Sequence, residues 1–142
     1  MSPARRLSFD LFVDSSGFYA LSNVNDPYHG AAAALIVAGA ADRLRLCTTN
    51  FVLAETHALF LSRRGRTTAF DFVQRVLGGA TVVERVTPAD EAAALAILER
   101  YVDKDFSYTD ATSFAVMARL NLRVALTSDR HFSQFGYIRA GA

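Results

Sequence analysis

The sequence predicts an α/β fold built on a short, mainly parallel sheet. Short apolar stretches with strand character recur along the chain, and helical patterns of ten or more residues separate them. Two of these stretches, at 9–14 and 123–129, end in an aspartate. Strands that alternate with helices of this length form βαβ units, in which neighbouring strands run parallel.

The first third of the chain predicts two strands and two helices. "FDLFVD" (9–14) is typical of a buried strand, and "SSGFYALSN" after it predicts one or two helical turns. Asp26 and Pro27 form a helix-start signal, which "YHGAAAALIVAGAA" continues. "LRLCTT" (44–49) predicts the second strand.

The middle of the chain predicts a pair of helices and then a third strand. Asn50 can cap the helix "FVLAETHALFLSRR", which we expect to stop near Gly65. Thr67 opens the helix "TAFDFVQRVL", and Gly78 and Gly79 end it. "TVVERV" then has the β-branched composition of a strand.

The last third of the chain predicts two helices and two strands. Thr87 and Pro88 start the helix "ADEAAALAILERYV", and the loop "DKDFS" leads into a helix containing "YTDATSFAVM". "RVALTSD" (123–129) predicts a strand, and "GYIRA" a last short one.

Composition and charge limit the classes of function. The 142 residues make up one domain's worth of chain, with 51% hydrophobic and 20% charged residues. A net charge of +1 provides no field strong enough to hold nucleic acid by charge alone. Cys47 is the only cysteine, which excludes a disulfide within the chain and favours a reducing cytoplasm. We expect neither a signal peptide nor contact with a membrane.

Four acids occur where a strand gives way to a helix or in the first turns of a helix: Asp14, Glu55, Asp110 and Asp129. In a parallel sheet these positions share the carboxyl edge, where binding sites form. Structural explanations exist for each alone. Asp14 and Asp129 could be turn residues, and Asp110 could be an acid that favours a helix N-terminus.

Two of these acids fall on apolar helix faces. Asp110 shares its face with Phe114 and Met117, and Glu55 has mostly apolar neighbours and no cation beside it. Two carboxylates about 4 Å apart repel by roughly 4 kcal/mol at an effective dielectric of about 20, so an ionised cluster needs a cation. All-oxygen ligands select Mg²⁺ or Mn²⁺, whose natural chemistry here is hydrolysis of phosphodiesters.

Small polar side chains surround the acids and can orient them or hold metal-bound waters. The candidates for this second layer are Ser16, Asn50, Ser113 and Thr127. Helix capping is the structural alternative, and it is at least as good an explanation for Asn50.

Cations near the acids are candidates for contact with the phosphates of a substrate. Arg130 and His131 follow Asp129 directly, although an exposed loop is the simpler expectation for His131. The basic run "RRGR" (63–66) is either a solvated turn or a contact for phosphates or an acidic partner.

The blocks "FVDSSGFYAL", "TTNFVLAET", "DKDFSYTDATSFAVM" and "ALTSDRHF" resemble the motifs of PIN-domain ribonucleases, especially VapC-type toxins. The resemblance runs in order from about 12 to 135, with one acid in register in each block. It implies a three-layer α/β/α fold for residues 1–142 as a single domain. The N-terminal segment 1–8 departs from the family and would be either an added arm or a misassigned start.

The resemblance also implies roles for the four acids. Asp14 and Asp110 would bind Mg²⁺ or Mn²⁺ directly, and Asp129 would bind it directly or through water. Glu55 would be a ligand through water or would orient the attacking water. The implied partners are transfer RNA or ribosomal RNA as substrate, a cognate antitoxin protein, and a second copy of the chain.

Other functions fit the sequence less well. A non-catalytic PIN-like module that binds RNA or protein is the main alternative, and the presence of all four acids argues against it. A phosphoacceptor receiver domain needs a lysine in its site, but the only lysine, Lys104, falls in an acidic loop. A phosphatase of the aspartate type needs a second aspartate two residues after the first, where Asp14 is followed by Ser15 and Ser16.

The helix that carries Glu55 is apolar nearly all round. Leu53 and Phe60 lie on the side opposite the acid, and the apolar helix "FDFVQRVL" follows closely. Because a helix that is hydrophobic on all sides is buried, we expect a homodimer that uses this pair of helices.

Overall fold

Five parallel strands form the centre of the computed structural model, which describes residues 11–141. Their order across the sheet is β3-β2-β1-β4-β5, and every neighbouring pair is parallel. The strands are β1 (Leu11–Val13), β2 (Leu46–Thr49), β3 (Val82–Glu84), β4 (Val124–Leu126) and β5 (Ile138–Ala140). The predicted α/β class and mainly parallel sheet are therefore confirmed.

Seven helices connect the strands: α1 (Ser15–Ser22), α2 (His29–Ala41), α3 (Asn50–Arg64), α4 (Arg66–Gly78), α5 (Pro88–Arg100), α6 (Tyr108–Arg119) and α7 (Arg130–Phe135). Because connections between parallel strands are right-handed, α1 to α4 cover one face of the sheet and α5 to α7 the other. Contacts of α3 with α1 and α4, and of α6 with α5 and α7, agree with this grouping. The result is the expected three-layer arrangement.

Two predicted helix starts were wrong by one or two residues. Thr49, rather than Asn50, caps α3, because its hydroxyl accepts the amide N–H of Val52. Asp26 accepts the amide N–H of Tyr28 in a turn, and the helix begins only afterwards, at His29. In each case a side chain accepts a nearby backbone N–H, and this local hydrogen bond affects where the helix begins.

A short helix, α7, was missed because the pattern after the fourth strand predicted a loop. Asp129 caps it by accepting the amide N–H of His131, and Gly136 ends it with a left-handed backbone (φ 118°). His131 consequently lies in the first turn of a helix, half-buried, instead of in an exposed loop.

Aromatic side chains fill the space on both faces of the sheet. On one face Phe60 stacks on Tyr19 and packs against Phe72. On the other face Phe114 contacts Phe106 and Phe132, among other rings. The first cluster includes residues of α1 and α3, and the second includes residues of α6 and α7, so both contribute to the packing of the helices next to the acids.

The predicted dimer surface is partly internal to one chain. Phe60 is fully buried and Leu53 is 9% exposed, because both pack inside the described chain. The reasoning that assigned these two side chains to a partner was therefore wrong. The outward side of the helical pair instead exposes Leu61, Phe70 and Leu77.

The N-terminal arm that the sequence suggested, 1–8, lies outside the described residues. Within residues 11–141, no helix has both the length and the apolarity needed to cross a membrane.

Gly17 lets α1 approach β4 closely, and substitution by alanine tests this. A Cβ at position 17 would lie 2.2 Å from the carbonyl oxygen of Leu126, so backbone would have to move. We expect Gly17→Ala to lower the free energy of unfolding by at least about 1–3 kcal/mol. Gly30→Ala is the matched control in α2, where a Cβ would meet nothing within 4 Å. Urea titration should show no loss for it, and a gain of up to about 1 kcal/mol; equal effects of the two substitutions would contradict this packing.

Candidate active site

Two of the acids lie at the point in the sheet where the order of the strands reverses direction. The chain runs outward from β1 to β2 and β3, then returns to the other side of β1 for β4 and β5. In open parallel sheets the crevice at such a reversal, beyond the carboxyl ends of the strands, is the usual binding site. Asp14 follows β1 and Asp129 follows β4, so these two acids lie at the reversal point.

Asp14 is buried, and hydroxyl groups hold its carboxylate. Its exposure is 4%, and Thr127 Oγ1 donates to Asp14 Oδ2 at 3.0 Å. Ser16 Oγ lies 3.5 Å from the same oxygen and 3.0 Å from Thr127 Oγ1. Ser16 also accepts the amide N–H of Ser128, which ties the start of α1 to the end of β4.

Burial raises the pKa of the Asp14 carboxyl to about 7. Loss of solvent is the largest cause, and the negative charges of Asp110 and Glu55 raise the pKa further. Hydrogen bonds from the Ser15 backbone and from Thr127 act in the opposite direction but do not cancel the effect. Asp14 therefore carries an electrostatic cost in the ionised protein that a cation would relieve.

Asp110 has a capping role that the sequence analysis missed. Its amide N–H is bound by Ser107 Oγ at 3.0 Å, and its own Oδ2 accepts the Ser107 amide N–H at 3.0 Å. This reciprocal pair is a capping box. The spacing of Ser107 and Asp110 was the available signal, and it supplies a structural reason for an inward-facing acid at this position.

His131 bridges Asp110 and Asp129. Its Nδ1 lies 2.8 Å from Asp110 Oδ2 and 3.4 Å from Asp129 Oδ1. One potential ligand atom from each of these three residues falls within 4.8 Å of the others, as a metal site requires. Sequence reasoning considered His131 only as a loop residue near RNA, because its contact with Asp110 depends on α7.

Glu55 lies at the same cleft but on an exposed surface. Ser15 Oγ donates to Glu55 Oε1, which joins α1 to α3. The side chain faces solvent, so the prediction that it is buried on an apolar stripe was wrong. Since exposure allows solvation, the desolvation argument for a cation does not apply to Glu55.

An open cleft of about 270 Å³ contains three of the four acids. Its lining is Asp14, Ser15, Ser16, Tyr19, Asp26, Glu55, Leu59, Arg63 and Asp129. Arg63, from the "RRGR" run, is the only cation of this lining, and its guanidinium lies over the ring of Tyr19 at 5.4 Å. A larger cavity of about 530 Å³ lies beside α1 and α4 and includes none of the four acids.

The remaining polar candidates, Asn50 and Ser113, differ in their hydrogen bonds. Asn50 Oδ1 accepts the amide N–H of Val86, so this side chain anchors the segment after β3 and caps nothing. Ser113 Oγ, one helical turn after Asp110, is buried and has no hydrogen-bond partner among the described residues. A buried hydroxyl without a partner suits a bound water or ion, so Ser113 fits a metal-containing site. Asn50 does not contribute to that fit.

The chain matches a known protein family and proteins of known structure. Residues 11–136 match the model of the PIN domain. The chain belongs to the PIN-domain family. It is 36% identical over 128 residues to the 23S rRNA-specific endonuclease VapC20 of Mycobacterium tuberculosis, covering 90% of this chain and 95% of that protein.

Solved structures agree with the family assignment. The crystal structure of Mycobacterium tuberculosis VapC20, described as a sarcin-ricin loop cleaving toxin, matches with a TM-score of 0.84 at 34% identity. That match covers 92% of this chain and 98% of VapC20. PAE2754 from Pyrobaculum aerophilum matches with a TM-score of 0.58 at 24% identity, over 87% of this chain and 77% of that one, and shares the fold. The resemblance to PIN-domain proteins of the VapC type is thus confirmed.

The raised pKa of Asp14 predicts how stability depends on pH in chelator. The folded-state pKa of about 7 exceeds the ordinary 3.8. Protonation of Asp14 therefore favours the folded protein over the unfolded chain. This contribution to stability is complete below about pH 4 and is lost as pH rises through about 7. Asp14→Asn removes this penalty. Its advantage over wild type in the free energy of unfolding should therefore grow between these limits and level off above, reaching at most about 4 kcal/mol.

The exposed carboxylate of Asp71 on α4 provides the control. Asp71→Asn should leave the shape of the pH–stability curve unchanged. An advantage of Asp14→Asn that stays constant from pH 4 to pH 8 would show that Asp14 is not ionised at this cost.

Proposed function

We propose that this protein is an endoribonuclease that hydrolyses RNA phosphodiester bonds with a divalent metal ion and water. The observation that carries the proposal is the group of Asp110, Asp129 and His131 at the reversal point of a parallel sheet, beside the buried Asp14, whose carboxyl is affected by the charge of Asp110. The likeness to the endonuclease VapC20 over 90% of the chain supports the same reaction.

Each acid has a role in this proposal. Asp14, Asp110 and Asp129 would hold Mg²⁺ or Mn²⁺ with oxygen ligands. A bound ion of this kind supplies an activated water and neutralises charge on the scissile phosphate. Glu55, exposed at the cleft and held by Ser15, orients the attacking water as a general base.

Hydroxyl groups around the acids keep their geometry. Thr127 and Ser16 fix one oxygen of Asp14, so that the carboxylate does not rotate away from the cleft. Ser113, buried without a partner among the described residues, holds a water beside Asp110. Such supporting contacts orient ligands before they bind.

The substrate we propose is a structured loop of the large ribosomal RNA, in preference to transfer RNA, because VapC20 is named as a 23S rRNA-specific endonuclease. Arg63, at the cleft over Tyr19, is placed to meet a phosphate next to the scissile bond. Arg130, exposed at the start of α7, is a second candidate for contact with RNA. Single-stranded loops expose the backbone that such arginines contact.

We further propose that residues 1–142 act as one domain in the cytoplasm, as the toxin of a toxin–antitoxin pair with a protein antitoxin. VapC20 is described as a toxin, which supports this role. The alternative, a non-catalytic module, would not require carboxylates to be held at the sheet edge at an electrostatic cost.

A homodimer is also part of the proposal, through the outer side of α3 and α4. Phe70 and Leu77, two turns apart on α4, are 53% and 57% exposed, and Leu61 on α3 is 48% exposed. Exposed apolar side chains of this size on two helices that pack together suit a surface for association.

Light scattering after gel filtration tests the dimer. Wild type should have the mass of a dimer at micromolar concentration, and Phe70→Asp that of a monomer, because a charge would be buried at the contact. Leu95→Asp, a matched change at an exposed apolar residue on α5 (61% exposed), should stay dimeric. A monomeric wild type would refute the dimer.

The chemistry of the cut ends tests the reaction. Attack by a metal-activated water does not use the 2′-hydroxyl of the substrate, so the products should carry a 5′-phosphate and a 3′-hydroxyl. EDTA should abolish cleavage, and excess Mg²⁺ or Mn²⁺ should restore it. End-labelled RNA products resolved by gel and by mass spectrometry will show which ends form. A 2′,3′-cyclic phosphate, or full activity in excess chelator, would be incompatible with the mechanism.

A further inference from the structure

His131 donates from two different groups to two different acids. Its backbone N–H binds Asp129 Oδ1 at 2.9 Å, and its ring Nδ1 lies 2.8 Å from Asp110 Oδ2. Both partners are acceptors, so the proton of the ring lies on Nδ1. One residue therefore connects the acid that precedes β4 in sequence to the acid that follows it.

The contacts leave one oxygen of each acid available. Asp110 Oδ2 accepts from both His131 and the Ser107 amide N–H, while Oδ1 receives no hydrogen bond from the described residues. Asp129 uses Oδ1 toward His131, and its Oδ2 is similarly available. A carboxylate held by one oxygen presents the other in a defined direction, which a metal ion with strict geometry needs.

The imidazole ring is itself held in place. Its edge packs against the ring of Phe106 at 5.4 Å, and the side chain is 29% exposed. Phe106 in turn contacts Phe114, one turn beyond Asp110 on α6. The ring of His131 is therefore packed against an aromatic side chain that belongs to the core under α6.

We infer that His131 is a positioning residue, which joins Asp110 to Asp129 so that their remaining oxygens together bind the divalent ion. This role rests on the proposed metal-dependent function and adds a residue that acts through the two acids. It differs from a contact with RNA, because it operates in the protein alone, before substrate binds.

Binding of Mn²⁺ to the protein without RNA tests this role. His131→Phe keeps an aromatic ring against Phe106 and removes the donor. His131→Asn places an amide N–H donor near the former position of Nδ1. We expect His131→Phe to weaken Mn²⁺ binding by about tenfold or more, as loss of a supporting contact to metal ligands does, and His131→Asn to recover most of that loss. Electron paramagnetic resonance of free Mn²⁺, or calorimetry, measures both.

The outcomes separate this inference from the function on which it rests. Wild-type affinity for Mn²⁺ in His131→Phe would overturn the positioning role and leave the nuclease proposal intact. Affinity in His131→Asn as weak as in His131→Phe would overturn it too, since the hydrogen-bond donor would not be the cause. A wild-type protein that binds no Mn²⁺ would refute the metal-dependent function, and His131 with it. Thermal melts in EDTA check that both variants are folded.

Discussion

Burial of a carboxylate close to other carboxylates is the constraint on which the rest of this structure depends. Three helices begin at the cluster: Asp14 and Asp129 are the N-caps of α1 and α7, and Asp110 lies in the first turn of α6. Because the N-terminus of a helix carries a partial positive charge, each acid is stabilised by its own helix. Burial nevertheless raises the pKa of Asp14 to about 7, so the helix termini do not fully offset the cost.

The two ends of α6 are fixed by separate contacts, which keeps Asp110 at the cleft. At the first end, Ser107 and Asp110 form the capping box. At the last, Arg119 binds both carboxylate oxygens of the buried Asp90 on α5, at 3.0 and 2.9 Å. Bidentate contacts of this type are geometrically strict. The packing of α5 against α6 therefore helps to position Asp110.

The sequence was sufficient for the fold and for the expectation that Asp14 and Asp129 follow strands at one edge of the sheet, since hydrophobic periodicity and strand ends are local properties. The capping box of Ser107 and Asp110 was a local signal that was missed, and the other failures at the site concern contacts between distant segments. Glu55 was expected to be buried because its helical neighbours are apolar, yet it faces the open cleft. His131 was expected in a loop, and only the folded α7 brings it to Asp110. Asn50 binds Val86, a contact that no local pattern predicts.

Metal-dependent stabilisation of wild type and Asp110→Asn tests the central claim, that a cation completes this cluster, most directly. The asparagine keeps the shape of the side chain and an oxygen acceptor for Ser107 but removes the charge. In EDTA the variant should melt close to wild type, because the loss of repulsion toward Asp14 offsets the weaker hydrogen bonds from Ser107 and His131. Added Mn²⁺ should then raise the melting temperature of wild type more than that of the variant, since a ligand stabilises only the state that binds it. An equal rise in the two proteins would contradict the assignment of Asp110 as a metal ligand.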